Sequence, residues 1–554
     1  VIFKSPLTGT LFDASSGGYW GAFLKRAGYD GLVIEGKAEE PVYLSIDESG
    51  VSIREAGHLW GLDTFETQQK IKEEIGDPRA RVACIGPAGE RGVLFACIIN
   101  DEGRAPGRGG NGAVMGAKNL KAIAVSGNRK VRLHDESGFR SLVKKLLGGE
   151  WRVVPGWDEL SPYGTAMVLD NAWPSGDIPV KNWSRGEWKE GCLNLGGRRM
   201  ADTLLTKRPG CYACHIKCAR WVTIKEGPYS FDGPGPEYET LASLGTMTMI
   251  DNLEAVAYAG HLCNLYGIDT ISCGTTIAFA MEARERGLLG KEHLEGLDLR
   301  WGNAEALVEA VRCIGEGRGI GKLLGLGMRR AAEEIGGDAH RFAYHVKGLE
   351  APMHDPRCFH SLAVTYATSP RGACHLHGAS HGFEGIRDAM PEWGLTEVSQ
   401  VYVNDESKSL VAALAQDRAN IENSMVICCF LSFYHGLTAG DFATMLNLAT
   451  GFDYDAKELK LIGERITQLH RTYNIRAGIG PEQDRLPERA LEPMKEGGHA
   501  GKVPDMGMLL PAYYRLRGWT ERGEITREAL ERVGLTDVAA DLFGEASGGG
   551  SASR

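Results

Sequence analysis

The chain has 554 residues, too many for one ordinary core, so roughly two to four domains are expected. Hydrophobic residues at 43% and charged residues at 24% are the balance of a soluble globular protein, and no apolar run is long enough to span a bilayer. The net charge of −10 argues against nucleic acid as the partner, because phosphate binding needs a basic face.

Residues 1–130 read as a β-rich domain. Leu32-Val33-Ile34, Val42 to Ile46 and Ala122 to Val125 are short strand patterns with Gly or charged punctuation. The chain begins inside a strand pattern and reaches Pro6-Leu7-Thr8-Gly9 at once, so a lead-in is expected to be missing or supplied by another chain. Gly103-Arg104-Ala105-Pro106-Gly107-Arg108-Gly109-Gly110-Asn111-Gly112 follows, with glycines that free backbone N–H groups and two arginines that offer bidentate donors to phosphate. A plain turn cluster is the competing reading, and the spacing is not that of a dinucleotide fingerprint.

Residues 131–348 read as a helical domain, with helical spacing over 136–147, 252–266 and 303–336. A stretch rich in proline, from Pro155 to Pro179, precedes Cys211-Tyr212-Ala213-Cys214-His215-Ile216-Lys217-Cys218. C-x2-C-x3-C favours an iron–sulfur cluster over zinc, because no second ligand pair follows at short range. Thirteen cysteines, an odd number, fit reduced thiols and a cytoplasmic setting better than a disulfide scaffold. Cys263, Cys273, Cys374, Cys428 and Cys429 are candidates for a fourth ligand. Gly235-Pro236-Glu237-Tyr238-Glu239-Thr240 carries two carboxylates that serve either as a general base or as the acidic first turn of a helix. Asn264 to Asp269 ends a helical pattern at Gly267. Gly319-Ile320-Gly321-Lys322 imitates a phosphate loop but reads as a helix start, since Glu316 replaces the first glycine.

Residues 349–545 read as a second helical domain, with helical spacing over 455–472. Arg371 to Gly378, followed by His381, concentrates His375, His377 and His381 in a glycine-flanked loop, a setting for proton transfer. Asn423-Ser424-Met425-Val426-Ile427-Cys428 repeats the frame of Asn264 to Asp269, and two such helix–loop junctions facing each other would grip a two-fold-like ligand. Residues 546–554 have the composition of a flexible tail.

In order along the chain, Lys4 to Gly9, Ser16-Gly17-Gly18, Ala27 to Gly31, Arg104 to Gly116, Lys118 to Lys121, the cysteine run, Gly235 to Thr240, Asn264 to Asp269, Ala367 to His375 and Asn423 to Cys428 resemble the tungsten-dependent aldehyde:ferredoxin oxidoreductases. The resemblance implies an α+β fold: an N-terminal β domain carrying a bis-pterin cofactor, then two mainly α-helical domains. It implies tungsten held by two molybdopterins, a magnesium ion bridging their phosphates, and a [4Fe–4S] cluster on Cys211, Cys214, Cys218 and Cys428. Ser15, Gly17, Arg104 and Ala105 fall at the phosphates and magnesium; Asn264, Gly267 and Asp269 match one pterin turn, Asn423 and Ile427 the other. Ser15 stands where the family often has Asn, and Val426 where it often has Gly. Glu237 or Glu239 falls at the active-site glutamate and His381 at the histidine, with His375 or His377 as alternatives.

The expected activity is the interconversion of small aldehydes and carboxylic acids, with electrons leaving through the cluster to ferredoxin or a ferredoxin-like subunit of an oligomer or multi-subunit complex. Tungsten acts as Lewis acid and electron acceptor, the glutamate takes the proton, and a histidine bonds the substrate oxygen. The alternatives are a benzoyl-CoA reductase-type subunit, a branch that carries cysteine near the metal where this chain has Glu237 and Glu239, and a non-catalytic iron–sulfur or zinc protein.

Overall fold

A computed structural model describes residues 1–148 and 153–544; the expected tail at 546–554 lies outside them. The N-terminal part is built on a five-stranded mixed sheet ordered Gly50–Glu55, Val42–Asp47, Leu120–Val125, Arg81–Ile85, Ile98–Asn100. Val42–Asp47 and Gly50–Glu55 form an antiparallel hairpin, whereas Val42–Asp47 and Leu120–Val125 run parallel. Leu120–Val125 is buried along its whole length, as a central strand covered on both faces must be. One face, with Ile46, Ile85 and Ile123, packs on the helix Trp20–Ala27. The other, with Tyr43, Val82 and Ala122, packs with Ile71 of the helix Thr64–Ile75. Lys121 falls at a register shift between Leu120 and Ala122, and its ammonium is satisfied by Glu90 Oε1 at 2.5 Å and the Leu62 carbonyl at 2.9 Å.

Leu32-Val33-Ile34 is not a strand. Leu32 and Ile34 point at the sheet's core while Val33 is 89% exposed, so the alternation is real but no ladder accompanies it. The 303–336 pattern is three helices, Ala304–Glu316, Gly321–Leu324 and Met328–Ile335, broken first at Gly317 and Gly319, both in left-handed backbone, and again at Gly325 and Gly327, the latter also with positive φ.

Beyond residue 135 the chain is mainly helical. Thr270–Glu285 is buried from Ile271 to Ala283, the mark of a helix enclosed on all sides. Leu253–Tyr266 starts on the Asn252 cap and stops at Gly267 in the left-handed region. In the C-terminal part, Ala456–Arg476 opens with a capping box between Asp455 and Glu458 and packs beside Ser407–Ser424. No helix among the described residues is long and apolar enough to cross a membrane.

Candidate functional site

A cavity of about 1290 Å³ opens where loops of the N-terminal sheet meet the helical parts. It exceeds the roughly 300–1,000 Å³ of a drug-sized pocket.

One wall carries the cysteines. Cys211, Cys218 and Cys428 line it, with Cys214 one turn behind, its N–H donating to the Cys211 carbonyl at 3.1 Å. Gly17 lies against them: a Cβ there would stand 2.8 Å from Cys211 Sγ. Cys428 precedes the helix Cys429–His435, and the Cys429 thiol with the Phe430 and Leu431 amides holds it below the usual thiol range. Among the described residues no three ligating atoms that include a thiol fall within 4.8 Å of one another. A tetrahedral zinc site needs its sulfurs about 3.8 Å apart, closer than these thiols stand. Of the other cysteines, Cys263 and Cys273 are buried and paired with each other, and Cys374 accepts a hydrogen bond from Arg371 at 2.9 Å.

The two loop arginines differ. Arg104 reaches the cysteine wall, 3.8 Å from Glu237 Oε1, with its guanidinium open to the cavity. Arg108 is tied down by Asp269 Oδ2 at 3.3 Å and by the Ala373 and Glu350 carbonyls at 2.9 and 2.5 Å. The expectation of two free phosphate donors is therefore corrected to one. Ala105 and Asn264 line the cavity, as does Asp269, whose carboxylate caps Thr270–Glu285 through the Ile271 amide. Gly267 does not; its carbonyl accepts from Cys97 N at 2.8 Å and it packs on the N-terminal sheet. Asn423 meets Ser15, which lines the cavity, at 3.3 Å, while Ile427 packs into the C-terminal core.

The cavity is also lined by an acid–imidazole set. Glu239 sits in the first turn of the helix Tyr238–Leu244. Its Oε2 accepts from the Met353 amide at 2.9 Å; its Oε1 is buried without a hydrogen-bond partner, 3.4 Å from His375 Nε2 and 3.7 Å from His354 Nε2. Burial drives the Glu239 carboxyl up to about 7, against the pull of His354. Burial also pushes His375 and His381 well below the usual imidazole range. His354 is the exception: burial lowers it, but the Asp177 carboxylate, 2.8 Å from Nδ1, more than compensates and the net shift is upward. His381 stacks near His354 with ring centroids 4.3 Å apart. Glu237 is separated from this set: it accepts from Thr165 Oγ1 at 2.5 Å and faces Arg104.

His377 is not at the site. It is fully buried beside Asp13 and His470, in a group whose ligating atoms lie within 4.8 Å of one another. The sequence reading missed His354 and Asp177. The available signal was Pro352-Met353-His354-Asp355-Pro356, a proline-bracketed polar loop.

Thiols, a carboxyl poised near neutrality and a shared space too large for a small substrate define a redox enzyme built around a sizeable cofactor. The chain belongs to the aldehyde ferredoxin oxidoreductase family: the N-terminal domain of that family matches residues 1–127, and its domains 2 and 3 match residues 143–535. It is 40% identical over 97% of its length to the tungsten-containing aldehyde ferredoxin oxidoreductase of Pyrococcus furiosus, covering 87% of that chain. The Thermococcus kodakarensis enzyme of the same name is 39% identical over 97% of this chain and 87% of its own. An aliphatic sulfonate oxidoreductase, WOR-like subunit, of Pyrococcus furiosus is 30% identical, over 98% and 86%. Among solved structures, the active-site complex BamBC of benzoyl coenzyme A reductase with 1,5-dienoyl-CoA superposes with a TM-score of 0.82 at 25% identity, covering 99% of this chain and 88% of that one.

Proposed function

We propose that this protein is a tungsten bis-pterin oxidoreductase that interconverts aldehydes and carboxylic acids. Aldehyde plus water yields acid, two protons and two electrons. The observation that carries the reading is Glu239 Oε1, buried without a hydrogen-bond partner and 3.4 Å from His375 Nε2, in the same cavity as the cysteines.

The residues present fit the cofactors. Cys211, Cys214, Cys218 and Cys428 would hold a [4Fe–4S] cluster, their thiols being too widely set for zinc. Arg104 with the backbone at Gly17 and Ala105 would hold the pterin phosphates and magnesium, and glycine at 17 leaves the approach to Cys211 open. Asn264 and Asp269 would meet one pterin. When bound, the tungsten cofactor supplies the electrophilic metal and two-electron acceptor, and the cluster the one-electron exit.

Glu239 is the general base: near 7, it is both ionised in good part and basic enough to take a proton from water attacking the carbonyl. His375, held neutral by burial, is free to donate one hydrogen bond to the substrate oxygen. His354, shifted upward and anchored by Asp177, pulls against the rise of Glu239. The acceptor is a ferredoxin or ferredoxin-like subunit, in a cytoplasmic oligomer or complex.

Metal analysis of the purified protein tests the cofactors: about one tungsten and four iron per chain are expected, and zinc alone overturns the reading. Glu239→Gln should lower kcat with a viologen acceptor by about 10²–10⁴ at unchanged metal content. Turnover of an aryl-CoA without turnover of any aldehyde would assign the chain to ring reduction instead.

A further inference from the structure

Asp13, His377 and His470 come together from three distant segments. Asp13 ends the strand Leu11–Asp13, His377 lies on the loop ahead of the helix Ser380–Ile386, and His470 is inside the helix Ala456–Arg476. Asn474, one turn on from His470, ties the same three segments: its Oδ1 accepts from the Leu11 amide at 3.0 Å and its Nδ2 donates to the Pro370 carbonyl at 2.7 Å. The group is therefore placed by contacts other than its own. None of its members lines the large cavity, although Phe12, Ala14 and Leu376 beside them do.

The polar atoms of the group are left over. Asp13 Oδ1, both ring nitrogens of the fully buried His377, and His470 Nδ1 are buried with no hydrogen-bond partner among the described residues. An unpaired buried polar atom is costly, and four in one place point to a common occupant. The ligand atoms of the three residues lie within 4.8 Å of one another. An ion with bonds of about 2.0–2.2 Å holds its ligand atoms roughly 3.0–3.5 Å apart, so it draws these groups in by on the order of an ångström. Arg371 holds the other Asp13 oxygen, Oδ2, at 3.2 Å, as an outer partner orients a ligating carboxylate. Burial raises the Asp13 carboxyl, but Arg371 and the two imidazoles outweigh it and hold it below the usual carboxylate range. Burial pushes both imidazoles down, so the ligands are an ionised carboxylate and neutral rings. The Asp13 side chain is 19% exposed and His470 is half-buried, which gives an ion a way in. Two imidazoles and a carboxylate suit a divalent first-row transition ion rather than magnesium or calcium, which prefer oxygen.

We propose that Asp13, His377 and His470 form a zinc-type divalent metal site that fastens the N-terminal strand pair to the C-terminal helix. The ion takes Asp13 Oδ1 and one nitrogen from each imidazole, and water completes its shell on the exposed side. The site is separate from the cavity and does not rest on the aldehyde-oxidising reading.

Zinc titration of the purified holoenzyme against a chromophoric zinc indicator tests it, with magnesium in excess. One zinc per chain is expected in addition to tungsten and iron, undisplaced by magnesium, and it should raise the unfolding midpoint. His377→Ala and His470→Gln should each weaken zinc at least about 100-fold, more than loss of an outer-shell partner does, and remove the midpoint shift. Should the variants fail to fold, anomalous scattering at the zinc edge from zinc-soaked wild-type crystals decides, with a peak expected between the three side chains. No zinc uptake by the wild type overturns the proposal, as does equal affinity in the folded variants. A peak at Glu239, His354 and His375 instead, the other group whose ligand atoms lie this close, also overturns it.

Discussion

Replacing Asp177 with asparagine removes a charge that never touches Glu239 yet acts on its ionisation through His354. Asp177 Oδ2 lies 2.8 Å from His354 Nδ1, and His354 Nε2 lies 3.7 Å from Glu239 Oε1. Without the aspartate, burial is opposed at His354 only by Glu239, and the imidazole shifts toward its neutral form. Two changes then oppose each other at Glu239. It loses the attraction of a positive charge at 3.7 Å, at most about 4.5 kcal/mol at an effective dielectric of 20, and it loses the weaker repulsion of the more distant Asp177 carboxylate. The nearer charge dominates, so the carboxyl rises from about 7 by about one to two pH units. A base must be deprotonated to act, so activity falls as pH drops through its pKa. The acidic limb of kcat/KM against pH therefore moves upward in Asp177→Asn, while the rate on the alkaline plateau is largely retained. An acidic limb that stays put, with tungsten and iron intact, would refute the electrostatic chain from Asp177 through His354 to Glu239.

Cys218→Ala should bring iron from about four per chain toward zero and abolish the EPR signal of the reduced cluster; retention of both would remove this residue from the ligand set. Val426 has φ +57° and is 85% exposed, so Val426→Gly relieves backbone strain without losing packing and should stabilise the chain by about 1 kcal/mol, read as a rise in the unfolding midpoint; a fall would mean the strain argument is wrong. Asp484 neutralises two buried cations, Lys347 at 2.9 Å and Arg471 at 2.8 Å. Asp484→Ala leaves both unpaired and should cost about 3–5 kcal/mol, and a loss under about 1 kcal/mol in chemical denaturation would show that water reaches them.

What the sequence made legible was what lies close along the chain. Cys211, Cys214 and Cys218 declare themselves because eight consecutive residues carry three ligands. Asp455 with Glu458, and Gly267 after Tyr266, announce helix ends for the same reason. Leu32 to Ile34 shows the limit: alternation specifies which side chains turn inward, but a strand also needs a neighbour, and that neighbour is chosen by the rest of the sheet. Arg104 and Arg108 are alike in sequence and opposite in structure, because only the fold brings Asp269 and the Glu350 carbonyl to one of them.

The site itself divides along this line. Glu239 and His375 were recognisable by residue type and setting, yet Glu237 and His381 were equally so; what separates Glu239 from Glu237 is half a helical turn, which aims one carboxylate at His375 and the other at Arg104. Asp177 and His354 stand 177 positions apart; the prolines around His354 mark its loop, but nothing local pairs it with Asp177. Their bond nevertheless sets the charge beside the base. A family motif can therefore identify the group that takes the proton, while the pH at which it does so is fixed by contacts that only the folded chain assembles.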